Sequence, residues 1–155
     1  MATAPARDPH QRRTEIEVRR DPSAPDGVRF SFQDSPERSH AQQYDNDGRP
    51  GHLIKFVISD PDGTGLRFPR DRGRALWVHP VDHESAECPP EGSRWDEFTA
   101  TAVTENGTTL IVRNLNSYEQ LFKFSLNFTR DRDNPGAALV IWDPIGDNRN
   151  GNRQA

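Results

Sequence analysis

The sequence predicts an all-β protein: a single antiparallel Ig-like β-sandwich of about seven or eight strands, with disordered N- and C-terminal tails. Three observations carry that prediction. Apolar residues recur with period two through most of the chain, which is the alternation of half-buried strands. Clusters of Pro, Gly, Asn and Asp interrupt the alternation at short intervals. No segment sustains a helical period, and thirteen prolines with eleven glycines leave little room for one.

The elements follow in order. Residues 1–13, "MATAPARDPHQRR", hold nothing that could bury a face and read as a tail. The domain spans 14–145. "TEIEVRR" at Thr14–Arg20 alternates well enough to add a strand to its own sheet or a neighbour's. Val28, Phe30 and Phe32 share one face of the next strand. "HLIKFVIS" sets Ile54, Phe56 and Ile58 on one side and Leu53 and Val57 on the other, so it reads as a central strand. "DPDGTG" then makes a tight turn, because Pro presets φ, Asp bonds its downstream backbone and Gly accepts positive φ. "LRF" and "ALWV" follow, with room for one helical turn after Pro80. "EFTATAVTENGTTLIVRNLN" is a hairpin about Asn106-Gly107, and "EQLFKFSLNF" places Phe122, Phe124, Leu126 and Phe128 along one face. "AALVIW" is the last strand, stopped by Asp143-Pro144, and 146–155 is the second tail.

Composition narrows the function classes. A net charge of −4, with Lys and Arg interleaved among acids, argues against nucleic acid as partner. No apolar run reaches membrane-span length and none has signal-peptide form, so the expectation is a cytoplasmic protein without membrane contact. One cysteine cannot form an internal disulfide. The sequons at Asn106 and Asn127 lack a secretion signal and read as chance matches.

The densest group of ligand-type side chains is "LWVHPVDHESAECPP", with His79, His83 and Cys88. Metal binding there is disfavoured. Pro80 pushes His79 toward extended geometry, Glu87 stands where a second H-E-x-x-H histidine belongs, and there is one thiol. Glu87 and Glu91 beside Cys88 would raise its pKa, which opposes nucleophilic use. The stretch reads as a polar connection, so no catalytic residue and no resident metal are assigned. "YDNDGRPG" and "DPDGTG" resemble half-loops for calcium, the one cofactor kept as an alternative, although turns need the same residues without an ion. Trp77 and Trp142 lie in apolar runs and are expected in the core or between sheets. Trp95, among charges, is expected at the surface and is the first binding candidate, with Asp143 and Asn148 as the others.

The ending "LNFTRDRDNPGAALVIWDPIGDN" is similar to that of small bacterial proteins of the DP-EP type. The residues that carry the resemblance are Leu126, Phe128, Asp143, Pro144, Ile145 and Asn148. Upstream, "ECPP" and Leu110, Val112, Asn114 and Asn116 of "TLIVRNLN" match further motifs, and the similarity spans about residues 51–148. It implies a β-sandwich and brings no activity with it. The expected function is therefore a non-catalytic interaction module, binding a protein or a second copy of itself through a sandwich surface or edge strand. A sandwich that binds carbohydrate or calcium is the alternative. An enzyme built on His79, His83 and Cys88 comes third.

Overall fold

Alternation builds the first sheet from its centre outward. The computed structural model describes residues 9–33, 41–45, 51–81, 88–117 and 119–149, with the backbone alone for 41–43, 45 and 145–149. In β4 (His52–Ser59) every second residue, from His52 to Ile58, is buried. Its flanks are β1 (His10–Arg20) and β7 (Thr109–Asn114), and the outer positions are β2 (Val28–Phe32) and β6 (Phe98–Val103). The order of this sheet is β2-β1-β4-β7-β6.

The second sheet is built on β8 (Gln120–Phe128), the strand read as strictly alternating. Phe122, Phe124, Leu126 and Phe128 are fully buried toward the first sheet. One side of β8 pairs with β5 (Leu76–Val81). Its other side is shared, the first half by β10 (Ile145–Arg149) and the last by β9 (Val140–Trp142). β3 (Ala41–Asp45) pairs outside β10. Aromatic rings lock the faces together: Phe98 lies 4.8 Å from Phe122, Phe56 lies 6.2 Å from Phe124, and Phe32 lies 4.6 Å from Trp142. Each buried ring contributes on the order of 2–3 kcal/mol of transfer free energy. The all-β sandwich is as expected.

Several details differ from the sequence reading. Two pairs, β1 with β4 and β3 with β10, run parallel, so the sheets are mixed. Both join strands remote in sequence, where no hairpin dictates the direction. β1 begins at His10 and β10 runs to Arg149, so both reach into the segments read as tails. The "TEIEVRR" segment does add a strand, inside its own sheet between β2 and β4. "LRF" is no strand: Leu66 and Phe68 are buried, and Arg67 makes one bridge to Thr129. The helical turn is α1 (Arg72–Ala75), N-capped by Asp71, and it precedes β5. Pro80 continues β5 opposite Phe122, as an edge strand allows. No helix among the described residues is long and apolar enough to cross a membrane.

Two residues of positive φ, Gly51 and Asn116, are fixed by close contacts. Gly51 has φ +102° and meets β7 so closely that a Cβ would lie 2.6 Å from the Leu115 carbonyl oxygen. Asn116, at φ +47°, receives the Asn114 side chain on its N–H at 3.0 Å and donates its own amide to the Tyr44 carbonyl at 2.9 Å. Asn114 and Asn116 thus tie β7 to β3 of the other sheet.

Candidate functional site

The opening cluster is only partly brought together. His79 stands on β5 opposite Lys123 of β8, half-buried, with Nδ1 enclosed and making no hydrogen bond to a described residue. His83 lies outside the described residues. Cys88 is held instead by Asp143, its thiol donating to Oδ2 at 2.9 Å. Desolvation, followed by the hydrogen bond and charge of Asp143, pushes the thiol up to about 11, with Lys123 opposing. Cys88 therefore stays a thiol at neutral pH, the opposite of an activated nucleophile. Among the described residues, no three His, Cys, Asp or Glu side chains gather to hold a metal ion.

The other candidates sort as follows. Asp143 follows β9 directly and its carboxylate serves Cys88. Asn148 lies within β10, level with Gln120 and Tyr44, rather than closing a turn. Trp95 is not a solvent-exposed ring: it is half-buried, packs on the core and sits 5.3 Å from Phe122. Trp77 is buried, but on the outward face of the second sheet, level with Ser125, because β5 alternates around the core residues Leu76 and Val78. Asn127 is fully buried and donates to the Arg74 carbonyl, so it is closed to glycosylation.

The turn carboxylates read as calcium candidates are occupied by the protein's own donors. Asp60 accepts from the Thr64 N–H and hydroxyl, the Gly65 N–H and Arg67. Burial pushes its pKa upward, but these hydrogen bonds outweigh burial and leave the carboxyl below its ordinary value. Asp62 accepts from the Arg20 N–H at 3.0 Å and from Arg19 at 3.3 Å. Of "YDNDGRPG", residues 46–50 lie outside the described residues.

A concavity lies elsewhere, where the sheets part between their edge strands β5 and β6. It is a cleft of about 780 Å³. Leu76 and Val78 of β5 and Phe98 and Ala100 of β6 give it an apolar floor, and Trp95 forms one wall. The connection from Cys88 to Glu97 carries Trp95 into place: the Ser93 carbonyl accepts from the Val78 N–H, and Trp95 bridges to Phe98. A bulge between Ala100 and Ala102 bends β6 at the cleft. α1 packs against β5, β6 and β8.

The rim carries three arginines and two aspartates. Arg70 is paired with Asp133 at 2.7 Å, and Arg72 donates to the Thr101 carbonyl at 3.0 Å. Asp71 caps α1 through the Gly73 N–H. Arg94 lies across Gly73 and makes no hydrogen bond or ion pair to any described residue. The rim therefore presents the uncommitted guanidinium of Arg94 and, at Asp96, a carboxylate without a hydrogen bond or ion pair to any described residue, above an apolar floor.

No protein-family model matches this sequence, and neither does any curated protein. The site must be read from its own chemistry: the cleft offers ring and methyl surface below and a guanidinium fork above. That combination suits a ligand with an apolar body and a carboxylate. Sequence reasoning singled out Trp95 but missed Arg94, Phe98 and the β5–β6 opening. The arginines of "RFPRDRGR" each have a partner of their own: Arg67 holds Asp60, Arg70 holds Asp133, Arg72 the Thr101 carbonyl and Arg74 the Ala137 carbonyl. Arg132 repeats the pattern across the loops, donating to the carbonyls of Phe68, Glu105 and Thr104.

Proposed function

We propose that the protein is a non-catalytic binding module that recognises a segment of a partner protein in the β5–β6 cleft. The observation that carries this reading is the half-buried Trp95 forming the wall of a cleft of about 780 Å³ with an uncommitted arginine on its rim. An apolar side chain of the partner enters against Trp95 and Phe98, and a neighbouring carboxylate meets Arg94. The volume falls within the range of about 300–1,000 Å³ usual for ligand-binding clefts. Kinship with the DP-EP type is part of the same proposal and rests on the motifs around Asn114, Asn116 and Asp143. The lone thiol suits a reducing compartment, and the cytoplasm is the proposed location.

The test is selection from a displayed library of random peptides against the full chain, with Trp95→Ala and Arg94→Glu as counter-targets. Enrichment of sequences pairing a large apolar residue with Asp or Glu, lost in both variants, supports the reading. No enrichment, or equal enrichment on Trp95→Ala, overturns it. In that case small aromatic carboxylates become the ligands to titrate.

A further inference from the structure

On the opposite open side of the sandwich, away from the cleft, the first sheet ends in β2 with nothing among the described residues covering its edge. The other edges at the cleft are guarded. Arg72 caps the Thr101 carbonyl of β6, and β5 carries Pro80 and gives its Val78 N–H to Ser93. On the β1 side of β2, Gln33 donates to Glu15, and Asp21 donates to Gly27 where the hairpin closes. β1 and β2 pair antiparallel, with Val18 opposite Phe30 and Ile16 opposite Phe32. Ladder bonds in such a pair fall on alternate residues. Arg29 and Ser31 therefore face β1, while Val28, Phe30 and Phe32 turn their N–H and C=O groups outward. None of those outward groups bonds to a described residue.

The surroundings of this edge are apolar and charge-balanced. Phe30 stacks on Phe128 at 4.7 Å and on Trp142 at 5.5 Å. A cleft of about 600 Å³ lies between β2 and β9. Ile141, 42% exposed, borders it and is one of two exposed large hydrophobics among the described residues. Glu17, Asp26, Arg19 and Arg29 line the opening, two of each sign, so the rim favours neither an acidic nor a basic partner. A second copy presents the same balanced set.

From this geometry we infer that β2 is a homodimerisation edge. Two chains pair antiparallel with Phe30 on the two-fold axis, Phe30 opposite Phe30 and Val28 opposite Phe32 of the second copy. This register sets every outward-facing residue against another outward-facing residue and forms roughly six ladder bonds. It joins two five-stranded sheets into one continuous sheet and covers Ile141.

The experiment is light scattering on the full chain from low micromolar to several hundred micromolar. The expected mass rises from one chain to two. Phe30→Pro removes an outward N–H without touching the β1 ladder and should hold the chain monomeric. Its fold is checked by urea melting, because the ring stacking is lost as well. Ile141→Lys alters only an exposed side chain and should raise the dimer dissociation constant at least ten-fold. Register is read by cross-linking in a Cys88→Ser background. Phe30→Cys should oxidise to a disulfide-linked dimer, since a hydrogen-bonded pair sets its Cα atoms about 5.5 Å apart. Val28→Cys should not. A monomer at every concentration, a dimer indifferent to Ile141→Lys, or equal cross-linking through Val28→Cys overturns the proposal.

Discussion

The Cys88 thiol and the Asp143 carboxylate are 55 residues apart in the chain and 2.9 Å apart in space. The bond ties Cys88 to the residue that follows β9. It also decides the chemistry of the single cysteine. Desolvation and the neighbouring carboxylate both favour the protonated thiol, which is therefore a hydrogen-bond donor at neutral pH.

Alkylation of Cys88 by iodoacetamide should accordingly be slow, with a pH–rate midpoint near the raised value of about 11. Asp143→Asn should move that midpoint down and speed alkylation at pH ~8 in proportion to the gain in acidity, on the order of ten-fold. Lys123→Gln should slow it further, because the ammonium opposes the carboxylate. The linkage has a definite sign. The folded state holds the proton more tightly than the unfolded chain, whose thiol titrates near 9.0. Stability from this contact is complete below about pH 9 and is lost as pH rises toward 11. A urea midpoint that rises over that interval would contradict the account.

Asp60 works in the other direction. Burial opposes its ionisation, yet the hydrogen bonds of the β4 turn hold its carboxyl below the ordinary 3.8. Stability from these bonds is complete above that value and falls away as pH drops through the lowered folded pKa. Asp60→Asn should cost about 1–2 kcal/mol at neutral pH. The difference from wild type should shrink in urea melts below pH ~3.

Arg132 spans three backbone carbonyls, those of Phe68, Thr104 and Glu105. A lysine has the charge without the planar fork. Arg132→Lys should lose about 1–2 kcal/mol, which for a chain of this size lowers Tm by roughly 2–4 °C per kcal/mol. Gly107, at φ +73°, lies beneath the same side chain, and a Cβ there would come 2.7 Å from the Arg132 Cδ. Gly107→Ala should be less damaging in an Arg132→Ala background. The coupling is read from a double-mutant thermal cycle.

Phe122 links the core to the candidate cleft, with ring centroids 4.8 Å from Phe98 and 5.3 Å from Trp95. Phe122→Ala should destabilise by about 3–5 kcal/mol. It should also shift the tryptophan emission toward that of an exposed indole, because Trp95 loses the ring it leans on. Trp95→Ala should cost less, since Trp95 is half-buried while Phe122 is enclosed completely.

What the sequence by itself determined was local. Period-two apolarity in "HLIKFVIS" and "EQLFKFSLNF" places strands correctly and names the faces that meet in the core, because side chains alternate whatever the sheet order; that Lys123, Ser125 and Asn127 on the other face of β8 are buried too is not legible in it. The turn chemistry of Asp60–Gly65 and Asn106-Gly107 also stands. Asp60 binds the backbone as foreseen, and Asn106 accepts from the Thr108 N–H in a loop closed between Thr104 and Thr109. These signals lie within a few residues of what they control. Tertiary structure alone decided the parallel placement of β1 and β3, the outward side of the second sheet that buries Trp77, and the meeting of Cys88 with Asp143. It also made the cleft, since β5 and β6 become neighbours only as the terminal strands of different sheets. Strand order is chosen by long-range burial and ladder bonds, and neither leaves a periodic trace in the chain.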